Sequence, residues 1–420
     1  MFVRIFLYLA CLFASAHADE PVSYDAHMAA AREAFVAEDW PALATALEAA
    51  QAYRPYSLYL TKNRVLAYEM SGDRAKALAV VRKIAERGLA MTLSGHEGFD
   101  ALKNDPAFAE IAARMEANAD PIGESEIVGV GVGGPLTEAV FIEADKSLIT
   151  GAVRTGEIFQ IPGPESEVDY PHFFTPGGVF DVELRQKVIW AAVNNQLAYW
   201  SGARDPEPPF AAIIAYDRTT GNELVKIILG GEDALIGDLE ITGDGVIYAS
   251  DSITPRLFRV EPGDAPQITE LTDPRFVNLQ GIALDEANGR MFIADYLTGL
   301  YVMDLEAGDV KLIRNDADAH LGGVDGLYYY KGDLIGVQNG TTPQRIVRIS
   351  LSEDGAAATA LNVLAQNLPE WNEPTHGVVV GAEFYYIATS NWPSYDEAKG
   401  WTSRDDNPPQ PLRIMAVGLD

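Results

Sequence analysis

A six-fold repeat in the C-terminal part of the sequence most strongly constrains how this chain folds. Six segments open with a polar residue, continue with alternating apolar positions and recur every 42 to 57 residues; they start at Glu138, Asp181, Asp238, Gln280, Asp325 and His376. A second and a third strand-like run follow each opening segment. Repeats of this length with three or four strands are typical of β-propeller blades. The sequence therefore predicts a mainly β fold, a six-bladed β-propeller over residues 126–420.

The two ends of the repeat region predict how the ring closes. The last repeat stops at its third strand, whereas the run from Glu126 to Val130 has the pattern of a strand and precedes the first repeat. We expect this run to supply the missing outer strand of the last blade. An all-β sandwich is the alternative fold, but it would not require six similar units.

A different pattern covers residues 19–120, which are rich in alanine and carry apolar residues at helical spacing. Helix breaks around Asp39 and Asp73 are 34 positions apart, and Leu43 and Leu47 then align with Ala77 and Val81. This period predicts an N-terminal α-helical, tetratricopeptide-like domain. Two such repeats rarely bury their own apolar faces, so we expect the domain to pack on the propeller or to bind a protein partner.

The first 18 residues predict a cleaved signal peptide. A basic start at Met1–Arg4 precedes the apolar run Ile5–Phe13, and Ala16 and Ala18 supply the small residues of a cleavage site. The run is far shorter than the roughly 20 residues that span a bilayer, which disfavours the alternative of a membrane anchor. The mature protein is therefore expected to be periplasmic or secreted, with no membrane span.

Charge and cysteine content limit the partners. The 61 acidic residues outnumber the 31 basic residues, and a net charge of −30 argues against nucleic acid. The single cysteine, Cys11, lies in the predicted leader. Any metal in the mature protein is therefore bound by oxygen or imidazole ligands.

The opening residues of the repeats predict a ring of polar side chains around the channel. Glu138, Asp181, Asp238 and Asp325 would bring four carboxylates toward one axis, where each raises the pKa of the others unless a cation neutralises them. Oxygen donors favour a hard divalent cation, Ca²⁺ first, with Mg²⁺, Mn²⁺ or Zn²⁺ as further candidates. The alternative is that these acids only cap strands or form turns and that water fills the channel.

Two further features recur in phase with the blades. The loops 194–209 and 391–411 are long and aromatic, which is typical of ligand-pocket walls, although a docking surface for the helical domain is an equal alternative. Asp251 and Asp295 end the second strand of two repeats. For them we favour a structural function, in which the carboxylate accepts backbone N–H groups of the next loop.

The repeat region resembles the regucalcin/gluconolactonase family of six-bladed propellers and, more loosely, paraoxonase and strictosidine-synthase-like propellers. The similar elements surround Glu138, Asp238, Gln280 and Asp325, in the contexts Thr-Glu-Ala-Val, Gly-Asp, Leu-Gln-Gly-Ile and Val-Asp-Gly-Leu. The resemblance implies that these four residues bind a divalent metal and that Asp325 is also a candidate general base. Glutamine and Gly237 stand where the family has asparagine.

Together these patterns favour a metal-dependent hydrolase that acts on a small ester or lactone at the channel mouth. Asp325 and His376 are the candidate catalytic residues, with Asp181 in reserve. No Gly-x-Ser-x-Gly element indicates a serine nucleophile. The alternative is a non-catalytic periplasmic binding or scaffold protein that uses the helices and the propeller as interaction surfaces.

Overall fold

The computed structural model describes residues 23–133, 136–143, 146–161, 172–202 and 208–420. The predicted leader lies outside these residues. The chain divides into two compact units between Ala119 and Asp120. Among the described residues, no helix combines the length and the apolar character needed to cross a bilayer.

The N-terminal unit contains six described helices. They are α1 (Tyr24–Val36), α2 (Trp40–Tyr53), α3 (Leu58–Met70), α4 (Arg74–Glu86), α5 (Glu97–Lys103) and α6 (Pro106–Ala117).

The 34-residue offset corresponds to equivalent positions in this unit. Asp39 is the N-cap of α2 and accepts a hydrogen bond from Ala42 N at 3.1 Å, while Asp73 is the N-cap of α4 and accepts one from Lys76 N at 3.3 Å. Each carboxylate satisfies a backbone donor that the first helical turn leaves free. One turn further on, the aligned apolar residues are buried in the same helical core.

The second unit is a six-bladed β-propeller, as the repeats predict. Six sheets of four or five strands follow one another along the chain. Strand β1 (Glu126–Gly133) comes first; blade 1 contains β2 (Thr137–Ile142), β3 (Leu148–Ala152), β4 (Glu157–Ile161) and β5 (Phe173–Phe174). Blade 2 contains β6 (Gly178–Arg185), β7 (Val188–Asn194), β8 (Ala211–Asp217) and β9 (Glu223–Gly230).

Blades 3 and 4 follow the same order from the innermost strand outward, and blade 5 has one additional outer strand that comes first in the chain. Blade 3 contains β10 (Ile236–Ile241), β11 (Ile247–Asp251), β12 (Arg256–Glu261) and β13 (Gln267–Leu271). Blade 4 contains β14 (Leu279–Asp285), β15 (Arg290–Asp295), β16 (Gly299–Asp304) and β17 (Val310–Leu312). Blade 5 contains β18 (Arg314–Asn315), β19 (Leu327–Tyr330), β20 (Asp333–Gln338), β21 (Arg345–Leu351) and β22 (Ala357–Gln366), with β18 as its outer edge.

Blade 6 is built from both ends of the unit. It contains β23 (Gly377–Val380), β24 (Glu383–Ile387) and β27 (Pro411–Gly418), and β1 pairs antiparallel with β27 as the outermost strand. A small hairpin of β25 (Tyr395–Asp396) and β26 (Thr402–Ser403) lies in the loop between β24 and β27. The predicted ring closure is therefore confirmed.

The apolar core lies between adjacent blades. Alternating residues of each strand point to opposite faces of the sheet, so every blade presents one apolar face to each neighbour. Val140 and Leu148 of blade 1, for example, pack with Tyr385 and Ile414 of blade 6 across the closure. This packing holds the six innermost strands around a common channel.

Candidate metal and substrate site at the channel mouth

A β-bulge marks the start of several innermost strands. The register of β2 shifts between Thr137 and Ala139, and that of β10 shifts between Ile236 and Asp238. Similar shifts occur before Asp181 in β6 and after Leu279 in β14. A bulge adds a residue to one strand and redirects the side chains around it, a device that recurs next to active sites.

The glycine that follows Gln280 allows neighbouring inner strands to approach closely. Gly281 N donates a hydrogen bond to Asp325 O at 2.7 Å. A Cβ atom at position 281 would lie 2.4 Å from Leu327 N and 2.5 Å from Asp325 O. A side chain at position 281 would therefore collide with the backbone of the next innermost strand, which accounts for the glycine after Gln280.

The structure brings the predicted site residues together in two groups that share His376. One ligand atom from each of Glu138, Asp325 and His376 lies within 4.8 Å of the others, and the same holds for Asp181, Asp238 and His376. The described residues contain no third cluster of this kind. Gln280 lines the cavity near the first group, and its amide nitrogen donates to Asn278 Oδ1 at 2.9 Å.

His376 is buried between the two groups. Its Nε2 lies 3.9 Å from Glu138 Oε2, and its Nδ1 lies 3.8 Å from Asp181 Oδ1. These distances are ion-pair distances, too long for hydrogen bonds. Nδ1 has no hydrogen-bond partner in the described part of the chain. The imidazole is therefore held by charge between carboxylates on both sides.

Burial and mutual repulsion disfavour the charged carboxylates. Burial, followed by the charges of Asp325 and Glu373, raises the pKa of Glu138 well above its usual range. Burial also raises the pKa of Asp325, against the opposing effects of His376 and of a hydrogen bond from Asn339. The pKa of Asp238 is raised well above normal by burial and by the charge of Asp181.

The same surroundings favour the charged form of His376, whereas they disfavour the charged forms of the carboxylates. Burial by itself would lower its pKa, but the interaction with Asp181 and the charge of Asp325 outweigh burial, and the pKa is raised. A positive charge is thus favoured at this position, as expected for any group surrounded by carboxylates.

A cavity of about 700 Å³ opens above Glu138, Asp325 and His376. Both long loops supply its walls, through Tyr199 of one loop and Trp392, Tyr395 and Trp401 of the other, with Phe180 beside them. Three of these rings touch: the centroids of Tyr199 and Trp392 are 6.1 Å apart, those of Tyr199 and Trp401 5.6 Å, and those of Trp392 and Trp401 5.0 Å. The interpretation of these loops as pocket walls is therefore confirmed.

Trp392 connects the aromatic wall to the polar floor, because its Nε1 donates a hydrogen bond to Glu138 Oε1. A second cavity of about 340 Å³ is lined by Asp181 and Asp238 together with Glu183 and Glu240. Of the polar residues at the channel, Glu138 and Asp325 thus face the larger cavity, whereas Asp181 and Asp238 face the smaller one.

Glu373 is a cavity residue that sequence reasoning missed. It lies three positions before His376 and adopts a left-handed backbone conformation with φ of 64°. Burial, followed by the charge of Asp325, raises its pKa to about 7. Non-glycine residues in this conformation are strained and concentrate at functional sites. No periodic signal pointed to Glu373, because an acid at this position does not recur in the loops that lead into the other innermost strands.

Asn339 and Tyr296 are two further residues that the sequence did not reveal. Asn339 Nδ2 donates to Asp325 Oδ2 at 2.6 Å, and Tyr296 OH donates to Asn339 Oδ1 at 2.9 Å. This chain of hydrogen bonds fixes the orientation of the Asp325 carboxylate. Asn339 directly follows β20, close to the phase at which Asp251 and Asp295 end their strands, so the repeat contained a signal for it.

Asp251 and Asp295 have the structural function that was expected. Asp251 accepts hydrogen bonds from the backbone of Leu235, Ile253 and Thr254. Asp295 accepts hydrogen bonds from the backbone N–H groups of four loop residues: Val277, Asn278, Leu297 and Thr298. Both carboxylates thus fix the loops around the cavity.

Comparisons with known proteins return similar folds. No family model matches the sequence, and no curated protein matches it. A catalytically inactive virginiamycin B lyase from Staphylococcus aureus, solved with quinupristin, has a TM-score of 0.45 at 12% identity, with 72% of this chain and 100% of that chain covered. A streptogramin B lyase has a TM-score of 0.46 at 12% identity, with 71% and 98% covered.

A third similar structure is a putative oxidoreductase (glucose dehydrogenase) from Thermus thermophilus. Its TM-score is 0.43 at 15% identity, with 70% of this chain and 99% of that chain covered. None of these likenesses bears on activity or ligand, so function is argued from the cavity itself.

Proposed function

We propose that this protein is a metal-dependent hydrolase of a small ester or lactone and that the reaction takes place at the channel mouth. The observation that carries the proposal is the meeting of Glu138, Asp325 and His376 within 4.8 Å at the floor of a 700 Å³ cavity. The carboxylates of Glu138, Asp325 and Glu373 repel one another here and need more neutralising charge than the single imidazole of His376 can supply. The described lining residues include no lysine or arginine.

The donor set fits a divalent cation. Glu138 and Asp325 would hold the ion, with Ca²⁺ as first candidate because hard oxygen donors suit it. Gln280 retains its amide oxygen for the ion. Asp238 is a weaker ligand in this proposal, since both of its carboxylate oxygens already accept backbone hydrogen bonds, from Leu239 at 3.0 Å and from Ile282 at 2.7 Å. When bound, such an ion polarises a carbonyl group and stabilises an oxyanion.

His376 is the proposed proton carrier. An ion bound by Glu138 and Asp325 would offset the carboxylate charge that favours the imidazolium, so that the imidazole can start neutral. Its Nε2 then accepts a proton from the attacking water as the water oxygen bonds to the carbonyl carbon, and the same proton passes to the leaving oxygen when the ester C–O bond breaks. Asp181, 3.8 Å from Nδ1, stabilises the imidazolium that forms in between. Asp325, oriented by Asn339, acts mainly as a ligand in this scheme.

The resemblance to regucalcin- and gluconolactonase-type propellers supports the same assignment. The glutamate and the aspartate of that pattern occupy the positions of Glu138 and Asp325, which the fold brings together. The departures concern Gln280 and Gly237, and Gly237 has no side chain to offer an ion.

Elemental analysis of protein purified without chelator, followed by hydrolysis of a lactone and ester panel with and without EDTA, tests the proposal. We expect a bound divalent ion and an activity that EDTA removes. His376→Ala, which removes the proton carrier, should lower turnover by roughly 10² to 10⁴. Asp325→Asn should weaken metal binding and lower turnover with the fold intact. Asp316→Asn, a change of the same type at an exposed position, is the matched control.

The opposing outcome is equally clear. If metal-loaded, folded protein hydrolyses nothing in the panel, and Asp325→Asn is more stable than the parent, the ring is a binding or scaffold surface. The repulsion between Asp325 and the neighbouring carboxylates of Glu138 and Glu373 would then be unrelated to catalysis.

A further inference from the structure

The larger cavity has an unusual charge inventory. Four acids line it, Glu138, Asp325, Glu373 and Glu397, and the described lining residues include no basic side chain apart from His376. Asp181 and Asp238 lie directly behind His376. A cavity lined by one sign of charge concentrates ligands of the opposite sign.

One divalent metal ion does not balance these acids. An ion held by Glu138 and Asp325 neutralises two negative charges, and His376, where a positive charge is favoured, offsets one more. Glu373 and Glu397 remain in the cavity, with Asp181 and Asp238 behind His376. Anionic ligands are therefore disfavoured with or without the ion. A positive charge carried by the ligand would offset part of the remaining negative charge.

The aromatic wall is chemically suited to that second charge. Tyr199, Trp392 and Trp401 form a continuous cluster that lines the same cavity. The faces of tryptophan and tyrosine rings attract ammonium groups by about 0.5 to 2 kcal/mol, and more strongly when water is excluded. Tyr395 already shows this interaction, because the Arg154 guanidinium carbon lies 6.0 Å from its ring centroid.

We infer that the ligand of this cavity carries an organic cation, a protonated amine or a quaternary ammonium group, that binds against the aromatic wall beside Glu373. The identification of this ligand as a substrate rests on the proposed hydrolase function, whereas its binding does not. The volume of about 700 Å³ accommodates a small molecule with an ester or lactone in addition to the cationic group.

Calorimetric titration of the full chain with two isosteric probes tests the inference. Choline carries the quaternary ammonium group, and 3,3-dimethyl-1-butanol is its neutral counterpart of the same shape. With saturating Ca²⁺ present, we expect choline to bind at least tenfold more tightly. Equal affinities would overturn the inference. So would loss of choline binding on adding Ca²⁺, because choline would then merely have occupied the metal position.

Variants of the aromatic wall distinguish binding at the wall from non-specific attraction of choline to the negatively charged protein. Trp401→Leu should remove most of the preference for choline, whereas Trp401→Phe should keep part of it. Tyr199→Leu repeats the test on the other loop. Phe174→Leu, at an exposed aromatic residue of the propeller outside the cavity, is the matched control and should change nothing. A preference that survives both loop variants would contradict binding at the wall.

Hydrolysis of acetylcholine and of 3,3-dimethylbutyl acetate distinguishes this inference from the proposed function. Selective choline binding without hydrolysis of either ester would support the inferred ligand class and contradict the proposed hydrolase function. Equal hydrolysis of both esters would support a hydrolase and overturn the ligand class.

Discussion

Replacing Glu373 by glutamine should stabilise the metal-free protein at alkaline pH and leave it unchanged at acidic pH. The pKa of this carboxyl in the folded state is about 7, against an ordinary value of 4.5, because burial and the charge of Asp325 disfavour its ionised form. The difference, 7 − 4.5, corresponds to about 3 kcal/mol at about 1.4 kcal/mol per pH unit.

The sign follows from proton binding. A carboxyl whose pKa is higher in the folded than in the unfolded chain binds more protons when folded between pH 4.5 and 7. The free energy of unfolding therefore falls as the pH rises through this window, and the full loss is reached above the folded-state pKa. Glutamine cannot ionise, so Glu373→Gln abolishes the loss.

Urea unfolding of the parent and of Glu373→Gln at pH 4.5, 7 and 9, in the presence of EDTA, measures the effect. We expect equal stabilities at the lowest pH and a gain of about 3 kcal/mol for the variant at the highest. Glu353→Gln, which removes the same charge from an exposed loop, should show no such gain. A gain that is the same at all three pH values would refute ionisation as the cause and point to packing or hydrogen bonding of the amide.

Three other outcomes follow from the fold and from the sequence. Ca²⁺ at 100 times its dissociation constant should stabilise the propeller by about 2.7 kcal/mol, and a Tm indifferent to both Ca²⁺ and EDTA would contradict a bound ion. Gly281→Ala should destabilise the propeller and displace Asp325, since the new methyl group meets backbone at 2.4 Å and 2.5 Å; wild-type Tm with unchanged metal affinity would contradict the close approach. Intact-mass analysis of protein exported from its natural host should find Asp19 as the N-terminus, and a retained leader would contradict cleavage after Ala18.

The sequence was most informative where structure repeats. Periodicity located the opening residues of the blades, the closing strand and the two aromatic loops. It did so because every blade packs against its neighbours around one axis in the same way. Periodicity also places polar residues at the channel. It does not reveal that Asp181 and Asp238 face a different cavity from Glu138 and Asp325. Glu138 is the extra residue of the bulge in β2, whereas Asp181 and Asp238 are the first paired residues after the bulges in β6 and β10, one position later.

Residues that occur once were beyond sequence reasoning. Glu373 owes its position to a left-handed backbone conformation in a loop of the last blade, and Trp392 meets Glu138 from a position 254 residues away. Neither the position of Glu373 nor the contact between Trp392 and Glu138 is marked by a local sequence pattern, because both arise only in the folded structure. The pairing of Asn339 with Asp325 was only partly accessible, because Asn339 lies one residue beyond the phase at which Asp251 and Asp295 end their strands.

The pairing of β1 with β27 also determines when the site comes into existence. Glu126 opposes Ala416, so the first strand of the ring must wait while about 290 further residues are synthesised, roughly 15 to 60 s at typical rates. Glu138 stands on the first blade and His376 on the last, so they become neighbours only when the last blade packs against the first. A growing chain can thus complete five blades and still have no assembled cavity. The complete cavity therefore forms only at the last stage of folding, after the other blades.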